Sequence, residues 1–228
     1  MKFTVIGDIH GCSSQLRVLL GHRELHEDRR VVFLGDYVDV GPDSPCVIEL
    51  LLSFAAERPD TVFLQGNHDF GLLAYLTSGD FAAYAEIGGI ATIRAYCGSV
   101  SGDVRATLKQ QIPETHRSFL RDLKPYFETR EYLFSHCGYA PETPTDRSVE
   151  AMVRHSHQGL FQNGAPLGKL AVCGHYFQRT HRVFISERVV CLDTGCGILQ
   201  GPLSALWLPE LQIVQVPTDL SLSLSQGR

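Results

Sequence analysis

Lys2-Phe3-Thr4-Val5-Ile6-Gly7-Asp8-Ile9-His10-Gly11 opens the chain with an apolar run that ends in a glycine, a carboxylate and an imidazole. The run predicts a strand over Lys2 to Ile6. Asp8 and His10 flank Ile9, so on an extended or turning segment both side chains can point to one side and grip a cation. The arrangement recurs. Gly35-Asp36-Tyr37-Val38-Asp39-Val40-Gly41 follows the apolar run Val31 to Leu34, and Gly66-Asn67-His68-Asp69 follows Thr61 to Leu64. Ser135-His136-Cys137-Gly138 and Cys173-Gly174-His175 follow Tyr132 to Phe134 and Leu170 to Cys173. These segments offer carboxylate, imidazole and amide donors, the mix that suits a pair of hard or borderline divalent cations.

Helices are predicted between the early strands. Ser13 is a candidate N-cap for a helix with Leu16, Leu19 and Leu20 on one face, stopped by Gly21. Ser44 and Pro45 open another, with Val47, Leu50, Leu51 and Phe54 as its buried stripe. Strands without alternation that alternate with helices read as an α/β protein with a parallel sheet. In such sheets functional groups gather at the carboxyl ends of the strands, where Asp8, Asp36 and Asn67 fall.

The character turns helical from about 70 to 129. Leu72, Leu73 and Leu76 begin one helix, Phe81 to Tyr96 reads as another, and Pro113 opens a third. This stretch lies between two site-bearing strands, which suggests a cap over the cleft, or else packing on the sheet flank. Arg182 to Ile185, Val189 to Leu192, Leu203 to Trp207 and Leu211 to Val216 are short strands in close succession, and they suggest a second, mixed or antiparallel sheet. The expected organisation is one domain over 1–216 with a C-terminal tail over 217–228. In that tail Leu220, Leu222 and Leu224 alternate with Ser, which allows an edge strand or a frayed end.

A net charge of −5 argues against a polyanion-binding surface, so no nucleic acid partner is expected. No apolar run approaches a membrane span, and the chain enters its first strand directly, so no membrane partner and no leader are expected. Seven cysteines, none in a tight metal-type pair, read as reduced thiols of a cytoplasmic protein.

A carboxylate has two oxygens, so Asp36 is suited to bridge two ions. Asn67, His136 and His175 would complete the second ion, and neutral imidazole and amide donors limit the site's negative charge. Singly, an Asp after a strand is usually a turn or cap residue and a His a hydrogen-bonded structural group. Six such residues, each within two positions of a glycine and close to an apolar run, make coincidence a poor account.

The segments resemble the signature of the phosphoprotein phosphatase family, within the calcineurin-like metallophosphoesterases. That pattern is GD-x-HG, GD-x-VDRG, GNH-D/E, a later HGG or HAG and a later GH. This sequence supplies GDIHG, GDYVDVG, GNHD, HCG and GH in that order. Ile87-Gly88-Gly89 through Thr92 is similar to the GG-x-x-T segment of bacterial members, and Leu192-Asp193-Thr194-Gly195-Cys196 resembles their C-terminal hairpin. The resemblance implies a two-sheet β-sandwich flanked by helices, an αββα arrangement, with a helical cap insertion. It implies that Asp8, His10 and Asp36 hold one metal, and Asp36, Asn67, His136 and His175 the other. It also implies direct attack on phosphorus by a hydroxide bridging the two ions, with His68, oriented by Asp39, as general acid. Two divalent ions are therefore expected, Mn²⁺ first, with Fe or Zn compatible with the donors.

One departure stands out. The family carries Arg directly after the dyad Asp, and here that position is Val40. Val cannot supply a bidentate fork to phosphate. Arg154 resembles a second phosphate-binding Arg of the family; its other reading is a solvated helix residue. The leading expectation is a Ser/Thr protein phosphatase acting on phosphorylated protein. The alternative is hydrolysis of diadenosine tetraphosphate or another dinucleoside polyphosphate. A third reading is a metal-containing binding module with little turnover.

Overall fold

Strand β1 (Phe3–Ile6) is buried on both faces and sits at the centre of the first of two five-stranded sheets. The computed structural model describes residues 1–26, 28–99, 101–157, 159–162 and 168–218. On one side β1 pairs in parallel with β2 (Arg30–Phe33), which pairs in parallel with β3 (Val62–Phe63). Helices α1 (Ser13–Leu20) and α2 (Ser44–Glu57) make the crossovers. The second sheet has the order β4 (Tyr126–Glu128), β5 (Tyr132–Ser135), β6 (Leu170–Cys173), β8 (Val189–Cys191), β7 (Phe184–Ile185). Strands β5, β6 and β8 are parallel, and β4 and β7 run antiparallel at the edges.

The two-residue period of a strand divides each apolar run between two cores. Phe3 and Val5 of β1, Val32 of β2 and Leu34 just beyond it meet Tyr132, Phe134, Val172 and Val190 of the other sheet. The Phe3 ring lies 5.1 Å from Phe134 and 5.7 Å from Tyr132, which locks the sheets face to face. The intervening residues Ile6, Val31 and Phe33 face the helices. Leu133, Ala171 and Cys173 cover the far side of the second sheet with Met152, Val153 and Leu160. This double burial explains why the strands read as unbroken apolar runs, and it gives the expected two-sheet sandwich flanked by helices.

Several expectations need correction. β9 (Leu203–Leu208) and β10 (Gln212–Val216) do not join the second sheet; β9 pairs antiparallel with β1, and β10 extends the first sheet beyond it. Every residue of β9 is buried, so its place is beside the most buried strand. The cap of α2 is Asp43, which accepts from the Cys46 amide, and Ser13 donates to Asp43 instead of capping α1. The stretch from Phe81 to Tyr96 is two helices, α4 (Phe81–Glu86) and α5 (Ile90–Cys97). The chain breaks at Gly88, whose φ of +97° a side chain rarely adopts. With α3 (Asn67–Ser78), α6 (Val104–Gln111) and α7 (Glu114–Arg121) these form one helical layer. Phe119 of α7 packs against Tyr37 and Phe63 at 5.5 and 5.2 Å, so α7 seats on the sheet flank, while α4 and α5 reach Asp39 through Tyr84 and Thr92. β4 lies inside the stretch expected to be helical. The Leu220, Leu222 and Leu224 alternation lies outside the described residues. Among the described residues, no helix is long and apolar enough to cross a membrane.

Candidate metal centre and acid dyad

Asp8 follows β1, Asp36 follows β2, Asn67 opens α3 just past β3, His136 follows β5 and His175 follows β6. The carboxyl ends of both sheets thus face one rim, and all six expected ligands meet there. Asp36 is the hub. Its Oδ2 lies 3.2 Å from His136 Nε2, 3.6 Å from His10 Nε2 and 3.9 Å from His68 Nε2. Asn67 Oδ1 lies 2.9 Å from His136 Nε2 and 2.8 Å from His175 Nδ1. Ligand atoms of Asp8, Asp36 and His136 fall within 4.8 Å of one another, as do those of His10, Asp36 and His68.

The hydrogen bonds behind these side chains show what the site wants. His10 Nδ1 faces the Val38 carbonyl at 3.3 Å and His136 Nδ1 the Leu34 carbonyl at 3.0 Å. A carbonyl only accepts, so each Nδ1 carries a proton and each Nε2 is aimed at oxygen, that of His10 at Asp36 and that of His136 at Asp36 and Asn67. Burial keeps the His10 ring neutral, whereas Asp36 raises His136 above its ordinary value against the pull of burial. At neutral His10 a nitrogen lone pair faces a carboxylate oxygen, an arrangement that calls for a positive charge between them. Asp8 Oδ1 is buried without a hydrogen-bond partner, a second sign of the same need. The donor set fits divalent cations.

Backbone geometry is bent to make room. His10, Asp36, Asp39, Val40 and His175 all have positive φ, between 47° and 69°. Such conformations cost about 1–3 kcal/mol each and cluster where function demands them. A Cβ on Gly66 would lie 2.0 Å from Asp36 Oδ1, and one on Gly174 1.9 Å from Asp8 Oδ1. Only glycine lets the carboxylates reach these positions. Asp69 braces the floor, accepting from the amides of Gly66, Asp36 and Tyr37 at 2.8 to 3.0 Å.

Electrostatics divide the groups by role. Burial, then Asp193 and Asp36, push the Asp8 carboxyl well above the usual range. Burial also raises Asp36, but His136, His68 and His10 outweigh it and hold Asp36 well below the usual range. Burial, with a neighbouring imidazole, lowers His10 and His175 to about 4, so both are neutral at pH 7 and free to ligate. His68 goes the other way. Burial would lower it, yet Asp36 and Asp39 raise it to about 9.

His68 Nδ1 donates to Asp39 Oδ2 at 3.1 Å, as the expected dyad requires, while its Nε2 faces the Asp36 side. Sequence reasoning missed what holds the dyad. Tyr84 Oη and Thr92 Oγ1 both donate to Asp39 Oδ1, at 2.7 and 2.6 Å, and Thr92 with Ser44 accepts from the Asp39 amide. Hydrogen bonds to a buried charge are worth about 1.5–3 kcal/mol each. The Thr in the GG-x-x-T segment was a signal for Thr92; nothing local marked Tyr84. Asp193 is a second omission: it is buried near Asp8, accepts from the Gly195 amide at 3.0 Å, and is raised by burial to about 6.

Arg154 lies outside the ligand cluster, in a single π-type turn (Glu150–Arg154). It pairs with Glu150 at 2.5 Å, and its guanidinium covers the Phe70 ring at 4.7 Å. It borders the same cavity as Asn67. Val40 borders a different cavity of about 620 Å³, among Cys12, Gln15, Gly197 and Gln200, with no charged side chain in its wall. Replacement by Arg would also take a β-branched residue off a left-handed backbone that suits it poorly. Val40→Arg is expected to lower KM for a phosphomonoester about tenfold, the scale of one charge-assisted contact. An unchanged or higher KM would mean that the cleft is shaped around a substrate that uses no fork.

A family model described as calcineurin-like phosphoesterase matches residues 1–183. A bis(5′-nucleosyl)-tetraphosphatase PrpE [asymmetrical] of Halalkalibacterium halodurans is 27% identical, over 96% of this chain and 94% of its own length. The protein of the same name from Bacillus subtilis is 27% identical over 100% of this chain and 99% of its own length. Among solved structures, a metallophosphoesterase from Sphaerobacter thermophilus superposes with a TM-score of 0.57 at 16% identity, covering 99% of this chain and 92% of that one. A cold-active protein tyrosine phosphatase gives 0.65 at 15%, covering 96% and 76%. At such identities the superpositions speak for the fold alone. The family match spans most of the chain and takes in every strand-end segment that converges on the rim, and on that ground this chain belongs to the calcineurin-like phosphoesterases and is a metal-dependent phosphoester hydrolase.

Proposed function

We propose that this chain hydrolyses dinucleoside tetraphosphates. The observation that carries this reading is the end-to-end match to relatives named bis(5′-nucleosyl)-tetraphosphatase, covering 96% and 100% of the chain. The leading expectation of a Ser/Thr protein phosphatase gives way to its stated alternative. Membership of a hydrolase family speaks against the reading as a binding module with little turnover.

In this reading Asp8, His10 and Asp36 would hold one divalent ion and Asp36, Asn67, His136 and His175 the other, with Mn²⁺ as the first choice. Bound there, such ions supply an acidified water and charge to offset the phosphoryl oxygens. The protein's own part is geometric and electrostatic. His10 and His136 are oriented by backbone carbonyls. The amino end of α3, at Asn67, turns its positive dipole toward the rim and donates the His68 amide to Asp36 Oδ1 at 3.0 Å. His68 keeps a proton at Nε2 for the departing phosphate oxygen, and Asp39, clamped by Tyr84 and Thr92, keeps the imidazole aimed. Arg154 would meet a phosphate further along the chain. A polyphosphate spreads its charge over several groups, so it depends less on a fork at position 40.

The test is parallel hydrolysis of diadenosine tetraphosphate and a phosphoserine peptide by metal-stripped, Mn²⁺-reconstituted protein. A higher kcat/KM on the dinucleotide is expected. Preference for the peptide would overturn the reading and restore the protein phosphatase.

A further inference from the structure

One face of α3 runs away from the metal centre as a stripe. Asn67, Phe70, Gly71, Ala74, Tyr75 and Ser78 recur at helical spacing, and all six line a single cavity of about 320 Å³. At 1.5 Å per residue the stripe is about 16 Å long. The cavity is continuous with the ligand rim, because Asn67 belongs to both. It suits a small molecule in size and in its mainly apolar, aromatic lining.

Its charges are segregated. Among the described residues, Arg154 is the one cation in the wall and sits over Phe70, near the Asn67 end. Asp80 is the one acid in the wall among the described residues; it follows Ser78 at the far end, where its amide donates to Ser78 Oγ. Between them the wall is Ala74, Tyr75, Tyr84 and Ile87. An occupant that matches this order is anionic at the metal end, flat and apolar in the middle, and a hydrogen-bond donor at its tip. We propose that this cavity is the binding site for the nucleoside of a nucleotide ester. The phosphates point to Asn67 and Arg154, the base lies along Ala74 and Tyr75, and an exocyclic amine reaches Ser78 or Asp80. The choice of a nucleotide rests on the function proposed above; the anion-to-donor polarity of the cavity does not.

Tyr84 adds a consequence. Its ring forms part of this wall and its hydroxyl holds Asp39. A base seated in the cavity packs against the residue that fixes the acid dyad, so occupancy and orientation of His68 are linked through one side chain.

Ala74→Phe fills the middle of the stripe. The Mn²⁺-loaded full chain is assayed on p-nitrophenyl phosphate with adenosine 5′-monophosphate or orthophosphate as inhibitor. In the unaltered chain the nucleotide should inhibit at least tenfold more tightly than orthophosphate. Ala74→Phe should abolish that difference and leave orthophosphate inhibition within about twofold. Ala74→Val, a smaller intrusion, should give an intermediate ratio and guards against misfolding of the larger variant. Equal inhibition by both anions in the unaltered chain, or equal weakening of both by Ala74→Phe, would overturn the proposal. A peptide preference in the hydrolysis assay with the inhibition contrast intact would instead strike the proposed substrate and spare the cavity.

Discussion

His68→Asn is expected to lower kcat on the preferred substrate about a hundred- to ten-thousandfold, the range for loss of a general acid, with bound metal nearly unchanged. The separation follows from geometry. His68 Nδ1 is spent on Asp39, and its Nε2 stands 3.9 Å from Asp36 Oδ2, further than His136 or His10. Asp39→Asn should act in the same direction, because an amide no longer stabilises the imidazolium. Asp36 and Asp39 raise His68 above its ordinary 6.5 to about 9, against the pull of burial. The charged pair therefore adds stability in full below pH 6.5, and loses it as pH rises through about 9. In metal-free protein the His68 ring protons should titrate near pH 9 by NMR, and Asp39→Asn should move that midpoint down. Bound cations should lower it as well, since they put positive charge beside Asp36. Metal lost in proportion to activity would make His68 a support of the site and end the acid assignment.

How much of this was open to inspection in the sequence depends on where the information sits. A ligand at the end of an apolar run carries its context with it: Gly7-Asp8, Gly35-Asp36 and Gly66-Asn67 each place a turn, a donor and a strand within a few residues. Local order was therefore enough to name six ligand candidates and a candidate dyad, which the fold brings to one rim. Which sheet a strand joins is a different matter. β9 is as apolar as any strand of the second sheet, and only its antiparallel register with β1, Val5 opposite Leu206, decides its place. The clamp on Asp39 was hidden for the same reason. Tyr84 and Thr92 are 45 and 53 residues away, and an aromatic residue on a short helix carries no sign of which carboxylate its hydroxyl will meet. The helix break at Gly88 was marked by two glycines in the sequence, but apolar periodicity across them suggested continuity.

Asp36→Asn is expected to have the largest effect of any single change. Among the described residues, its carboxylate is the one group within 4 Å of three imidazoles, and an amide offers one acceptor and no charge in its place. Loss of cation binding removes several kcal/mol of charge stabilisation at the phosphoryl group, so kcat/KM should fall a thousandfold or more. Elemental analysis should find close to two ions per unaltered chain and fewer than one in the variant. Thermal unfolding gives a second readout. Mn²⁺ at a thousand times its Kd stabilises a folded site by about 4 kcal/mol, a gain the variant should largely lose. Without metal, two effects oppose each other. Removing the charge relieves Asp8, Asp69 and Asp193, whose carboxyls it helps to raise, but deprives His136 and His68 of their partner. The depressed pKa of Asp36 itself says that the second effect is larger. A group depressed in this way contributes stability above the ordinary carboxylate value of 3.8 and loses it as pH falls through its own lower value. The metal-free variant should therefore be less stable than the unaltered chain at pH 7, with the gap closing in acid. A variant that kept both ions would show that Asp36 is no bridge, and the centre would have to be rebuilt around Asp8 and Asn67.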